Sequence, residues 1–267
     1  MFLLPLYDDA PKRALPVVTY GLIGACIAVF LWQIGLPPRA QHAAALSYGM
    51  IPAVLFGHEH LPARLARVPA WLTVFTSMFL HGGWLHLLGN MLYLWLFGRG
   101  VEGALGPIRL LVFYFLSGAA AALTQAFISP TAEVPLIGAS GAIAGVLGAY
   151  LVLFPRGNVV VFFWIFVFVR LITVPAVILL GLWFLMQLLS AVAADPGEPG
   201  VAFWAHVGGF VLGMLLVPVF RRSGVSLLQP ARTGSFRMAP PRAARQRFGT
   251  GSVPPAGRGG GRRGPWG

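Results

Sequence analysis

A chain of 267 residues that is 57% hydrophobic, only 10% charged and has a mean hydropathy of +0.79 carries too few charges to wet a soluble domain, so its expected solvent is the bilayer. The net charge of +12 would suit a nucleic-acid binder, but ten arginines and no acidic residue lie between Arg221 and Gly267, leaving nine basic and seven acidic residues before them. Basicity therefore belongs to one end, and the single cysteine, Cys26, excludes an intramolecular disulfide.

About twenty consecutive apolar residues cross a bilayer as a helix. Six segments reach or approach that length: about Leu15 to Leu36, Trp84 to Phe97, Pro107 to Ile128, Ser140 to Phe154, Val174 to Ala194 and Val201 to Phe220. The second and fourth are short, which is tolerable where neighbouring helices and water cover their ends. Ile23-Gly24-Ala25-Cys26 resembles a lipoprotein cleavage box, yet the apolar run continues past Cys26 to Leu36, as a span requires. No cleavable signal peptide is expected. Between the first two spans, Pro37 to Gly83 mixes Tyr48, Phe56, Trp71 and Phe75 with polar residues, a composition suited to the headgroup region. Val159 to Val169, rich in Val and Phe, is read as an interfacial connector; its periodicity does not separate strand from helix. From about Ser223 the chain is Gly, Pro, Ser and Arg without apolar periodicity, and is expected to be disordered.

With the N-terminus inside, the inner segments carry Lys12, Arg13, Arg99, Arg109, Arg156, Arg170 and the ten tail arginines, against Arg39, Arg64 and Arg67 outside. That bias places both termini in the cytoplasm. The expected organisation is a cytoplasmic segment over 1–14, an all-α six-helix membrane domain over 15–220, and a disordered basic tail over 221–267. Deleting everything after Arg222 is expected to spare function. Phe236, Phe248 and Trp266 are too sparse to stack bases, so no nucleic-acid partner is expected.

Polar side chains inside spans are expensive and each asks for a reason. Gly138-Ala139-Ser140-Gly141 opens the fourth span, and its glycines permit a tight turn and close backbone approach. Alone, such a serine is more often a helix cap or a packing serine than a nucleophile. Ala205-His206-Val207-Gly208-Gly209 lies near the start of the sixth span, and His86 and Asn90 share one face of the second. Alternating spans put the starts of the second, fourth and sixth at the outer surface. There His86, Ser140 and His206 fall within about two helical turns of the end, with Asn90 one turn deeper. Gly141, Gly145 and Gly148 on the fourth span, and Ala205, Gly209 and Gly213 on the sixth, allow those helices to pack closely.

His86-x-x-x-Asn90, Gly138-Ala139-Ser140-Gly141 and Ala205-His206-x-x-Gly209, in this order over six spans, resemble the rhomboid family of intramembrane serine proteases, from about Leu15 to Phe220. The resemblance implies a Ser140–His206 dyad without an aspartate, and an oxyanion hole from His86, Asn90 and the Ser140 amide. It also implies a structural or hydrating role for His81 and an inner structural cluster at Glu102 and Arg109. Supporting positions are Gly138, Gly141, Gly209 and His81. The implied substrates are single-span membrane proteins, entering past the fifth span and cut where Gly or Pro weakens their helix; neither cofactor nor metal is implied. This sequence departs from many relatives in carrying Trp71-Leu72 rather than Trp-Arg. It has Ala144 where some relatives stack an aromatic ring on the histidine, so His206 must be oriented otherwise. Two other classes fit six spans. A catalytically inactive relative would bind membrane proteins without cutting them. A transporter would need midplane charges or repeat symmetry, which are not evident. A bacterial inner membrane is the expected location.

Overall fold

The computed structural model of the chain describes residues 2–11, 15–165, 168–194 and 201–230. It is mostly helical, and among the described residues four helices are long and apolar enough to cross a membrane: α1 (Val17–Ile34), α6 (Pro107–Ile128), α8 (Ala176–Ala193) and α9 (Phe203–Phe220). Their outward faces are apolar, as Leu116, Phe127, Leu182, Met186, Leu189, Leu215 and Val219 show by their exposure. Such a surface suits a lipid surround.

Two further helices sit inward. α7 (Ser140–Leu153) has 14 residues and, at about 1.5 Å per residue, falls short of a ~30 Å hydrocarbon core. It needs no lipid-facing surface, because every residue from Ala142 to Tyr150 is buried. α5 (Trp84–Leu105) runs eight residues beyond the expected end at Phe97 (105 against 97). Gly98 and Gly100 in the added turns serve close approach. A Cβ on Gly98 would press on Thr19, and one on Gly100 on Ala10 and Tyr150. The added turns carry Glu102, 3% exposed, to the start of α1, where its carboxylate accepts from the Val18 and Thr19 amides (3.0 and 2.8 Å) and the Thr19 hydroxyl (2.7 Å). A distant glutamate thus caps a helix that has no cap of its own. Arg109 makes the complementary contact, donating to the carbonyls of Phe220 and Arg221 at the end of α9.

The all-α expectation needs correcting. β1 (Phe2–Asp8), β2 (Asn158–Ile165) and β3 (Phe168–Pro175) form an antiparallel sheet in the order β1-β2-β3. β2 and β3 pair from Asn158↔Pro175 to Ile165↔Phe168, so the expected interfacial connector is a hairpin. Its β-branched residues alternate, Val159 and Val161 buried with Val160 between them less so. β1 pairs with β2 from Phe2↔Trp164 to Asp8↔Val159, its register shifting after Pro5, which has no amide hydrogen to give to a ladder. The hairpin gains its third strand only by pairing residues more than 150 positions apart in sequence (2 against 164), which local periodicity cannot reveal. Asp8 then accepts from the Tyr150 hydroxyl at 2.9 Å, tying the N-terminal segment to α7.

Two other expectations shift. The long first loop contains α2 (Pro38–Tyr48), α3 (Pro52–Leu55), α4 (Ala70–Thr76) and a 3-10 turn (Ser77–Phe79). Met50 bridges to Leu136 in the loop before α7, and Trp71 is 63% exposed. After α9 the chain folds back: the Leu228 and Gln229 amides donate to Val152 and Leu153 at the end of α7, and Val225 is buried. Residues 221–230 are therefore ordered, contrary to the expected tail, while 231–267 lie outside the described residues.

Candidate active site

The sheet, Glu102 and Arg109 gather at the N-terminal ends of α1, α6 and α8 and the C-terminal ends of α5, α7 and α9. The singled-out polar residues lie at the opposite end, because Ser140, His86 and His206 all stand in the first turns of α7, α5 and α9. Ser140 opens α7, and the chain reaches it through Gly138 at φ +124°, where any Cβ would strain the backbone. A Cβ there would also lie 2.6 Å from His86 Nε2, so the glycine lets the chain pass against that imidazole. The Gly138 amide is fixed by donating to the Ser77 carbonyl at 2.9 Å. As a first-turn residue, Ser140 has a backbone N–H without an intrahelical acceptor.

α7 and α9 touch backbone to backbone. A Cβ on Gly209 would overlap the Gly141 carbonyl, one on Gly213 the Gly145 backbone, and one on Gly148 the Phe210 carbonyl. On its other side α7 meets α6, where a Cβ on Gly141 would come within 2.6 Å of Ala121. With the helices this close, His206 Nε2 lies 2.8 Å from Ser140 Oγ, across 66 residues of sequence.

His206 is held from its far side too. Its Nδ1 lies 2.7 Å from Gln187 Oε1 on α8. Trp183, one turn earlier on α8, places its ring centroid 6.0 Å from the imidazole at an interplanar angle of 35°. Ala144 is fully buried and offers no ring, so α8 supplies the aromatic neighbour. Gln187 was not singled out from the sequence. The available signal was a lone amide in the apolar run Phe184-Leu185-Met186-Gln187-Leu188-Leu189, a polar group that a span does not carry without a partner.

His86, Asn90 and His81 line the same end. His86 Nδ1 accepts from the Gly82 amide at 3.3 Å. Asn90 is buried, and its Nδ2 has no hydrogen-bond partner among the described residues. His81, just before α5, has its amide on Gln33 Oε1 at 3.0 Å and its Nδ1 3.1 Å from the Phe79 carbonyl, and its ring stands edge-on to His86 at 5.2 Å. The Phe79 contact makes Nδ1 the protonated nitrogen and leaves Nε2 an acceptor. Burial, and then the neighbouring His86, push His81 down to about 4, against the opposite pull of the Phe79 carbonyl. Among the described residues no three His, Cys, Asp or Glu side chains converge as metal ligands would.

Chemically, this end offers a hydroxyl bonded to an imidazole, an imidazole anchored through its other nitrogen, and a buried amide donor, Asn90 Nδ2, without a partner among the described residues. Residues 69–223, more than half of the chain, match the Rhomboid domain. The chain is 28% identical over 208 residues to Rhomboid protein 1, mitochondrial, of Saccharomyces cerevisiae, covering 74% of this chain and 51% of that one. It is 34% identical over 219 residues to RHOMBOID-like protein 4 of Arabidopsis thaliana, covering 81% of this chain and 48% of that one. Over 81 residues, 30% of this chain and 15% of the other, it is 41% identical to Rhomboid protease GluP of Bacillus subtilis. The chain thus spans about half the length of the first two relatives.

Proposed function

The chain belongs to the rhomboid family, an integral-membrane family, and from that premise we propose that it is a serine endopeptidase cutting membrane proteins within or near their spans. One contact supports this above all others: the 2.8 Å approach of His206 Nε2 to Ser140 Oγ in a setting where polar groups are costly. In this reading α1, α5, α6, α7, α8 and α9 form a six-helix membrane bundle. The termini face the cytoplasm of a bacterial cell, and the site lies near the outer surface, where water can enter.

Serine is a weak nucleophile until a base takes its proton. His206 Nε2 accepts that proton as Ser140 Oγ bonds to the scissile carbonyl carbon. The carbonyl oxygen becomes an oxyanion facing the Ser140 amide, Asn90 Nδ2 and His86. His206 then gives the proton to the departing amine as the C–N bond breaks, leaving an acyl ester on Ser140. Water, deprotonated by His206, attacks the ester and restores the hydroxyl. Each oxyanion donor contributes roughly a hundredfold or more in rate. Substrates are single-span proteins whose helices contain Gly or Pro near the cut, since a regular helix hides its peptide bonds in its own hydrogen bonding.

The test is purified full-length chain in liposomes with a single-span substrate bearing a Gly-rich segment. Wild type is expected to release two fragments, and Ser140→Ala to lose at least about a thousandfold in rate. Equal cleavage by both, or none by folded wild type over a panel of such substrates, overturns the proposal. The second outcome would favour a binding module without activity.

A further inference from the structure

We propose that Gln187 is a positioning residue that holds His206 in the one tautomer able to act as a base toward Ser140. The proposal deepens the serine-peptidase reading and rests on it for its consequence in catalysis.

A neutral imidazole has one N–H and one lone pair, and only the form with the proton on Nδ1 can take a proton from Ser140 at Nε2. Gln187 Oε1 is an acceptor with no proton to give, and it sits 2.7 Å from Nδ1, so the contact exists only when Nδ1 carries hydrogen. Nε2 is thereby left with its lone pair aimed at Ser140 Oγ 2.8 Å away. Among the described residues no carboxylate bonds to His206, so this amide occupies the place that an aspartate holds in a full triad. Trp183, four residues earlier on the same face of α8, sets a tilted ring beside the imidazole, centroids 6.0 Å apart, and restricts its rotation. The rest of α8 makes the amide conspicuous: Leu182, Leu185, Met186 and Leu189 are apolar and exposed, and Gln187 is turned inward to half-burial.

The imidazolium formed during the reaction keeps its Nδ1–H on the Gln187 carbonyl. A neutral carbonyl favours that cation less than a carboxylate would. Gln187 therefore fixes geometry and tautomer while leaving the base comparatively weak.

A bland alternative is that Gln187 only fastens α8 to α9, as interhelical amides do. The two differ in what Gln187→Met, similar in length and apolar, does to the full-length protein. Positioning predicts a kcat about tenfold lower with KM within twofold of wild type, one hydrogen bond's worth of orientation. Gln187→Glu restores the acceptor and recovers kcat, and moves the acidic limb of the pH profile to higher pH, because a carboxylate favours the imidazolium. Nitrogen NMR of histidine-labelled protein supplies a readout that needs no activity, with His206 assigned by its loss in His206→Gln. Wild type is expected to show a protonated Nδ1 and a bare Nε2 at neutral pH, and Gln187→Met a mixture of tautomers. A folded Gln187→Met protein with wild-type kcat, pH profile and tautomer overturns the proposal, whether or not its melting temperature falls. If wild type shows the Nδ1–H tautomer and Gln187→Met loses it, but no substrate is cut, the positioning stands and the peptidase reading fails.

Discussion

Asn90 Nδ2 is buried with no hydrogen-bond partner among the described residues, which is unfavourable at rest; under the proposed function its use is to meet an oxyanion. Asn90→Leu is therefore expected to leave the melting temperature unchanged or raised while lowering kcat about a hundredfold or more. Loss of stability in parallel with activity would mark Asn90 as structural. His81 makes a different prediction. Its ordinary value is about 6.5 and its folded value about 4, so between those limits the unfolded chain binds the extra proton. Stability is full above about pH 6.5 and falls as the pH drops toward 4. Melting in detergent across that window checks it, and His81→Gln is expected to flatten the decline. At this scale the sequence was informative where residues come in local patterns. Ser140 between glycines, and His86 with Asn90 at a spacing of four, announce themselves within a few positions. Gln187 signals only that it needs a partner and not which one, since His206 is 19 residues away on another helix.

Among elements, the closeness of α7 and α9 decides whether Ser140 and His206 meet. Gly213→Val would drive two methyl groups into the Gly145 backbone, and is expected to abolish folding or part the helices enough to silence the site. Gly181→Ala, in an open position on α8, is the control expected to change nothing. Glu102 holds the start of α1 through three short hydrogen bonds. Glu102→Ala is expected to cost about 2–3 kcal/mol of stability, leaving the buried Thr19 amide and the part-buried Val18 amide unpaired, and denaturation in mixed micelles measures it. The helix-forming runs were legible because apolar length is a local property. The end of α5 was not, because the packing of Thr19 and Ala10 against Gly98 and Gly100 is a tertiary contact that local hydropathy does not carry.

Taken as a whole molecule, the fold separates its chemistry from its anchoring. One end holds the sheet, the Glu102 cap and the returning C-terminal segment; the other holds Ser140, His206 and Gln187. The anchoring end was the less legible, since β1 becomes a strand only through β2, and residues 223–230 are fixed by the last carbonyls of α7 and by burial of Val225. Removing residues 2–8 is expected to lower stability by exposing the edge of β2 and freeing Tyr150 from Asp8. Truncation after Pro230 is expected to preserve activity. Truncation after Arg222 strips Val225 and the Leu228 and Gln229 amides from the bundle and is expected to lower the melting temperature.

Stoichiometric labelling by a fluorophosphonate tests most directly whether the Ser140 hydroxyl is activated by His206. Wild type in micelles is predicted to take up one label per chain, lost in Ser140→Ala and reduced to background in His206→Ala. Labelling that persists in Ser140→Ala, or that is unaffected by His206→Ala, would contradict the account.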